Sequence, residues 1–245
     1  MGYTIAIAGK GGTGKTTVAA LIVRLIKEKK LGSLLAVDAD PNSNLAEFLG
    51  IEVKESMGKI LDDIASDPSK IPAGMSKDRF IEYNIQAAIQ EQEGFDLLTM
   101  GRPEGPGCYC YVNNVLRNIV SKLIKDYDYI VIDNEAGLEH LSRRTTREAD
   151  VLLIVSDASV AGMRAAKRIF ELVKELKIKT KKNFLLVNRS EINPRDLIKG
   201  MDYLGNIPED PQIQEMSLNG RSLLDLKDDN SALNNLRILG DKIWH

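Results

Sequence analysis

Short apolar runs alternate along the chain with longer stretches in which apolar positions recur every three to four residues. The first pattern predicts strands and the second predicts amphipathic helices. Strands are expected at Tyr3–Ala8, Ser33–Val37, Phe95–Met100, Tyr129–Ile132, Val151–Val155 and Asn183–Val187, with a weaker one at Tyr203–Ile207. The runs Ile130-Val131-Ile132, Val151 to Val155 and Phe184 to Val187 are continuously apolar. That suits strands covered by helices on both faces. Helices are expected at Lys15–Lys29, Met57–Ala65, Lys77–Gln92, Asn113–Lys125 and Gly162–Leu176, and Ser231–Trp244 has the same spacing. The two kinds of element interleave throughout, with neither repeats nor a low-complexity linker. Residues 1–245 therefore predict one doubly wound α/β domain around a mostly parallel sheet.

Charge and composition narrow the function classes. Lys and Arg number 33 against 35 Asp and Glu, a formal net charge of −2. A bulk basic surface for nucleic acid is excluded as the main theme, although a local basic patch is not. No apolar run reaches the ~18–20 residues of a membrane span. The first residues lack a basic segment and lead straight into a glycine-rich loop, so no secretory signal is expected. Gly2 begins a myristoylation pattern that Ala6 breaks. The expected compartment is the cytosol. With only two cysteines, the chain is no disulfide scaffold.

The strongest chemical signal is Gly9-Lys10-Gly11-Gly12-Thr13-Gly14-Lys15-Thr16, which matches the phosphate-loop pattern G-x-x-x-x-G-K-[ST]. It follows an expected strand and opens an expected helix. Glycines let successive N–H groups point at phosphate oxygens, and the helix adds its positive end. Lys15 is expected against the β- and γ-phosphates, Thr16 on Mg²⁺ and Thr17 on the α-phosphate.

Carboxylates close two strands. Val37-Asp38-Ala39-Asp40-Pro41-Asn42 ends the second strand, and in extended chain Asp38 and Asp40 share a face. At the carboxyl end of a strand in an open α/β sheet they point toward the ligand crevice. Asp-Pro-Asn is also turn chemistry, which is compatible. Tyr129-Ile130-Val131-Ile132-Asp133 is an apolar strand ending in a carboxylate, and Asp133 is expected to hold Mg²⁺ through water.

Cys108-Tyr109-Cys110 follows a run of three glycines and two prolines and precedes an expected helix. Thiolates at i and i+2 can converge on one soft metal ion. Two thiolates leave a tetrahedral site half filled, and two copies on a dimer axis would complete it. The other readings are a redox pair, strained at this spacing, and small buried hydrophobes. His140 reads as a metal ligand, a solvated residue or a helix cap. The five lysines of Lys174–Lys182 read as a solvated surface.

The lysine after the first glycine makes K-G-G-T-G-K-T, which resembles the deviant phosphate loop of the MinD/Mrp and nitrogenase iron-protein group of dimeric ATPases. That resemblance implies that Lys10 reaches the nucleotide of a partner protomer. D-x-D-P resembles switch I, which implies that Asp40 orients the attacking water and that Asp38 lies in the outer shell of Mg²⁺. Asp133-Asn134-Glu135-Ala136-Gly137 resembles switch II, with the Gly137 amide sensing the γ-phosphate. Glu135 stands where the cell-division branch commonly has proline. The resemblance also implies that Asn188, beside Arg189, reads the adenine edge, and that Pro208-Glu209-Asp210 forms a second base-contacting loop. A cap or turn remains an alternative for both. The choice of ATP over GTP rests on this resemblance.

Taken with G-R-P-E-G-P-G-C-Y-C and D-N-E-A-G-L-E-H, the motifs look like those of the CooC family of nickel-insertion ATPases. This implies a cytosolic homodimer that binds ATP or ADP with Mg²⁺. It also implies that Cys108 and Cys110 bind Ni²⁺, or Zn²⁺, at the dimer interface. The client would be a nickel enzyme such as carbon monoxide dehydrogenase, with no nucleic acid or membrane partner. A MinD- or ParA-like spatial ATPase and an iron–sulfur assembly scaffold are the alternatives. The first needs a free amphipathic tail or a DNA patch, and the apolar spacing of Asn230–His245 reads instead as a core helix.

Overall fold

The computed structural model describes residues 2–102, 114–115, 118–119, 121–123, 125–135, 148–194 and 196–244. The expected helix over 113–125 falls partly outside them. Cys108, Cys110, Gly137 and His140 fall wholly outside.

Eight strands form one sheet: β1 (Tyr3–Gly9), β2 (Leu34–Ala39), β3 (Gln90–Gln92), β4 (Phe95–Thr99), β5 (Tyr129–Asn134), β6 (Glu148–Ser156), β7 (Lys179–Asn188) and β8 (Asp202–Ile207). Their spatial order is β3-β4-β2-β5-β1-β6-β7-β8. Every pairing is parallel except the edge pair β3–β4. The doubly wound α/β expectation holds. Each of the seven expected strands is present, most of them a residue or more longer than their apolar runs.

The helices of the described residues are α1 (Lys15–Lys29), α2 (Asn44–Phe48), α3 (Met57–Ser66), α4 (Lys77–Ala87), α5 (Val160–Glu175), α6 (Pro211–Leu218) and α7 (Ser231–Trp244). Alternate strand residues face opposite layers. Ile5, Ile7, Ala36, Leu97, Val131 and Leu153 pack with α1, α2 and α7. On the other face, Leu35, Val37, Leu98 and Ile132 meet α3 and α4, and Leu152, Ile154 and Leu185 meet α5. Both sheet faces are dry, which explains the continuous apolar runs.

The apolar stripe of α7, with Ala232, Leu233, Leu236 and Ile243, is buried in the core. The tail is therefore a packing helix, and its apolar face is not free to bind a membrane. Among the described residues no helix is long and apolar enough to cross one. The buried Arg24 of α1 ties this C-terminal region to the centre. Its guanidinium donates to the carbonyls of Leu223 (3.2 Å) and Leu226 (2.5 Å) and to Asp228 (2.7 Å).

The helix expected to run to Gln92 stops at Ala87, and Gln90–Gln92 pairs instead with β4. Gly94, at φ 85°, turns that hairpin. A three-residue edge strand is too short to show a period of its own.

The strand order reverses at the centre. From β1 the chain crosses to β2 on one side, and β6, β7 and β8 extend the other. In such sheets ligands sit outside the carboxyl ends of the strands, at the switch point. β1 ends there, flanked by β5 and β6.

Candidate functional site

β1 runs directly into the phosphate loop. Gly9 lies so close to β6 that a Cβ would stand 2.3 Å from the Val155 carbonyl oxygen. Gly14 takes φ 85°, and a Cβ there would stand 2.3 Å from Asn188 Nδ2. Gly14→Ala is therefore expected to destabilise the protein. Left-handed backbone costs a non-glycine residue ~1–2 kcal/mol, and displacing Asn188 loses a hydrogen bond of about 1 kcal/mol. A fall of about 2–3 kcal/mol in a denaturant titration checks this.

The loop wraps around the Lys10 carbonyl oxygen. That oxygen accepts the Thr13 amide at 3.4 Å, the Thr13 hydroxyl at 2.9 Å and the Lys15 ammonium at 3.4 Å. From outside, Asn188 Nδ2 donates to the Thr13 carbonyl at 2.8 Å, and Arg189 donates to the Gly12 carbonyl at 3.4 Å. The loop's shape is thus fixed by the protein itself. Lys10, Gly11 and Gly12 are exposed, whereas Thr13, Lys15 and Thr17 are buried and Thr16 is half-buried. The ammonium of Lys15 sits under the loop, and the amides of α1's first turn are short of intrahelical acceptors. Together they favour an anion.

Three carboxylates, Asp133, Asp40 and Glu135, act on this cation. Burial lowers the Lys15 pKa, while the charges of Asp133, Asp40 and Glu135 hold it up. Asp133, the second-last residue of β5, stands opposite Ile7 of β1 and Asp38 of β2. Burial pushes its pKa up to about 6, against the Thr16 hydroxyl bond and the charge of Lys15. The Thr16 hydroxyl donates to this carboxylate, whose Oδ1 is buried without a partner. A hard oxygen with an open lone pair beside a threonine hydroxyl fits the donor set of a magnesium site. Among the described residues no group of three or more His, Cys, Asp or Glu stands ready to hold a metal by protein ligands alone.

Asp38 and Asp40 do not share a face, because β2 ends at Ala39 and Asp40 belongs to the following turn. Asp38 is fully buried, and burial beside Asp133 pushes its pKa up to about 7. Its two oxygens accept the Asp40 amide at 3.1 Å and the Leu45 amide at 2.8 Å. Asp38 thus braces the segment from Asp40 into α2. Asp40 Oδ1 accepts the Asn42 backbone and side-chain nitrogens at 2.8 and 2.9 Å. This is the Asx turn that Asp-Pro-Asn suggests. The carboxylate stays at the edge of the loop, near enough for its charge to act on Lys15.

A cleft opens beside the loop. It runs from Thr17 and Val18 past Phe48, Asn188 and Arg189 to Pro208, Glu209 and Asp210. All five expected base contacts line it. Asp210 is different, because its carboxylate caps α6, accepting the Gln212 and Ile213 amides at 3.0 and 3.1 Å. Its other oxygen accepts Asn230 Nδ2 at 2.8 Å. The cap alternative describes this side chain, and only its backbone remains to meet a base. Asn188 is engaged in part, since one N–H of its amide donates to the Thr13 carbonyl. Its second N–H and its Oδ1 are left for the adenine edge.

Sequence reading missed two contributors. Glu135 acts on Lys15 through its charge, a proximity made only in the folded chain. Phe48 sits on a five-residue helix too short to be periodic. The Asp-Pro step at 210–211 did carry a signal for α6, since aspartate at the N-cap and proline at N1 start helices.

Comparison with known proteins agrees with this geometry. Residues 2–186 match the AAA domain family. An uncharacterized ATP-binding protein of Methanocaldococcus jannaschii is 42% identical, over 98% of this chain and 97% of its own length. The carbon monoxide dehydrogenase accessory protein CooC of Rhodospirillum rubrum is 28% identical, over 91% of this chain and 89% of its own. Among solved structures, the septum site-determining protein MinD of Pyrococcus horikoshii, complexed with Mg-ADP, superposes with a TM-score of 0.73. That match has 23% identity and covers 99% of this chain and 96% of that one. With three quarters of its length inside the family match and phosphate-loop geometry at the centre of the sheet, this chain belongs to the AAA domain family and is a P-loop ATPase.

Proposed function

We propose that residues 1–245 act as one ATPase domain that closes as a homodimer around nucleotide and handles nickel for a client enzyme. The observation that carries the ATPase half is the arrangement of Lys15, Thr16 and Asp133 under a preformed glycine loop. For the metal half, the support is Cys108-Tyr109-Cys110 together with the similarity to CooC along most of both chains.

In this reading the phosphates of ATP lie in the loop Gly11–Thr16, with Lys15 on the β- and γ-phosphates and Thr17 on the α-phosphate. Thr16, and Asp133 through water, hold Mg²⁺. When bound, the ion neutralises charge that develops on the phosphoryl oxygens. Lys10 is exposed at the loop's edge, placed to face the nucleotide of the second protomer. Asp40 orients a water for attack on the γ-phosphorus. The bond to the β–γ bridging oxygen breaks, and ADP and phosphate leave. Gly137 senses the γ-phosphate through its amide. Asn188, Arg189, Pro208, Glu209 and Asp210 surround the base. Two Cys108/Cys110 pairs supply four sulfurs to one Ni²⁺, or to Zn²⁺, which also suits a tetrahedral sulfur site. Dimer closure changes their grip. The setting is cytoplasmic, and the client is carbon monoxide dehydrogenase or a related nickel enzyme.

Reactivation of nickel-free carbon monoxide dehydrogenase tests both halves. With Ni²⁺ and ATP, the wild-type chain is expected to speed recovery of client activity. Asp40→Ala is expected to bind ATP within about twofold of wild type but to hydrolyse it at least a hundredfold more slowly, in line with loss of a water-positioning group. It should not speed the client. Normal ATP turnover by Asp40→Ala contradicts the water-orienting role. Client recovery that is indifferent to the chain contradicts the nickel role. In that case the fold likeness to MinD leaves a nucleotide-switched partner protein as the alternative.

A further inference from the structure

The cleft beside the phosphate loop has an aromatic wall that the motifs do not account for. Phe48 closes α2, is half-buried, and packs on the main core through part of its side chain. The rest of it lines the cleft that Asn188 and Arg189 also line. Val18 and Leu21 of α1, with Ile213 and Leu218 of α6, continue the apolar lining. Leu218 is 81% exposed, so this apolar surface stands uncovered at the mouth.

The cleft starts at Thr17, in the first turn of the helix that receives the phosphates. A nucleotide anchored by its phosphates in the loop therefore delivers its base along this wall. Asn188 offers Oδ1 and its second amide N–H at the polar side, since only one N–H is given to the Thr13 carbonyl. The lining is mixed, with the Phe48 ring and aliphatic side chains beside polar groups such as Asn188, Arg189 and Gln214. That suits a base, whose faces are apolar and whose edges are polar, and aromatic rings hold bases through their π-faces.

Phe48 is also placed by switch I. Asp38 Oδ2 accepts the Leu45 amide at 2.8 Å, in the first turn of α2. Leu45 and Ala46 are buried in the core. The ring therefore sits on an element fixed to the Asp38–Asp40 segment.

We infer that Phe48 is the base-binding wall of the nucleotide site and sets its affinity for nucleosides over bare polyphosphate. This rests on the phosphate-loop reading above and goes beyond it by assigning the residue that holds the base. Calorimetric titration of the full chain with Mg-ATP, Mg-ADP and Mg-tripolyphosphate tests it. Phe48→Ala is expected to weaken ATP and ADP about tenfold, the lower part of the range for losing a base–aromatic contact. Tripolyphosphate affinity should stay within twofold of wild type. Phe48→Leu keeps most of the volume and is expected to weaken the two nucleotides about threefold, again sparing tripolyphosphate. It decides the matter if the alanine variant does not fold.

Equal losses for nucleotide and tripolyphosphate would make Phe48 a structural residue and overturn the inference. Unchanged ATP affinity would overturn it too. Neither result touches the phosphate loop. That reading fails separately, if Lys15→Ala still binds tripolyphosphate like wild type.

Discussion

Lys15→Ala is expected to abolish measurable ATP binding, with an affinity loss of at least a hundredfold, while the chain remains folded. The side chain is only 7% exposed, and its ammonium rests 3.4 Å from the Lys10 carbonyl oxygen beneath the loop. A cation held there meets phosphate oxygens with little solvent screening. Truncating one partner of such a buried charge pair costs about 2–5 kcal/mol, roughly thirty- to several-thousandfold. A second effect adds to the first. The charge of Lys15 is one of the causes that hold down the Asp133 pKa, which burial has already pushed to about 6. Without it that carboxylate takes up a proton more readily and is a poorer partner for a magnesium-bound water. The fold should survive because Lys15 itself bears a desolvation cost, visible in its lowered pKa. Calorimetry gives the affinity, and a melting curve within a few degrees of wild type shows that the fold is intact. Tight ATP binding by this variant would remove Lys15 from the site.

The sheet was legible in the sequence because burial on both faces writes strands as continuous apolar runs. Val151 to Val155 and Phe184 to Val187 could be read without any tertiary information. Short elements were not legible for the same physical reason. α2 spans five residues and β3 three, less than two turns or two alternations. Motif residues were legible as types but not as contacts. Asp38 was identified as a carboxylate facing the ligand crevice, yet its service to the Asp40 and Leu45 amides depends on how the chain turns after Ala39. Asn188 was found by its place at a strand end. That its amide nitrogen locks Thr13, 175 residues away, follows only from β7 standing two strands from β1. Asp210 shows the opposite case, where the local Asp-Pro cap signal was present and the motif reading obscured it.

Loss of both thiols is the other change with a large expected effect. A metal held by four thiolates, two from each chain, depends on the dimer and holds the dimer together. Binding and association are then one equilibrium, and truncating either pair removes both. Cys108→Ala/Cys110→Ala is expected to leave Mg-ATP affinity within about twofold, because the Lys15, Thr16 and Asp133 constellation is built from β1, α1 and β5 alone. It should abolish nickel-driven association.

The most direct measurement titrates metal-free protein with Ni²⁺ while following metal stoichiometry and oligomeric mass together, on wild type and on this double variant. One nickel per two chains, with the mass doubling in wild type and neither change in the variant, is the expected result. Nickel binding and mass that are the same with and without the two cysteines would contradict the nickel-handling function.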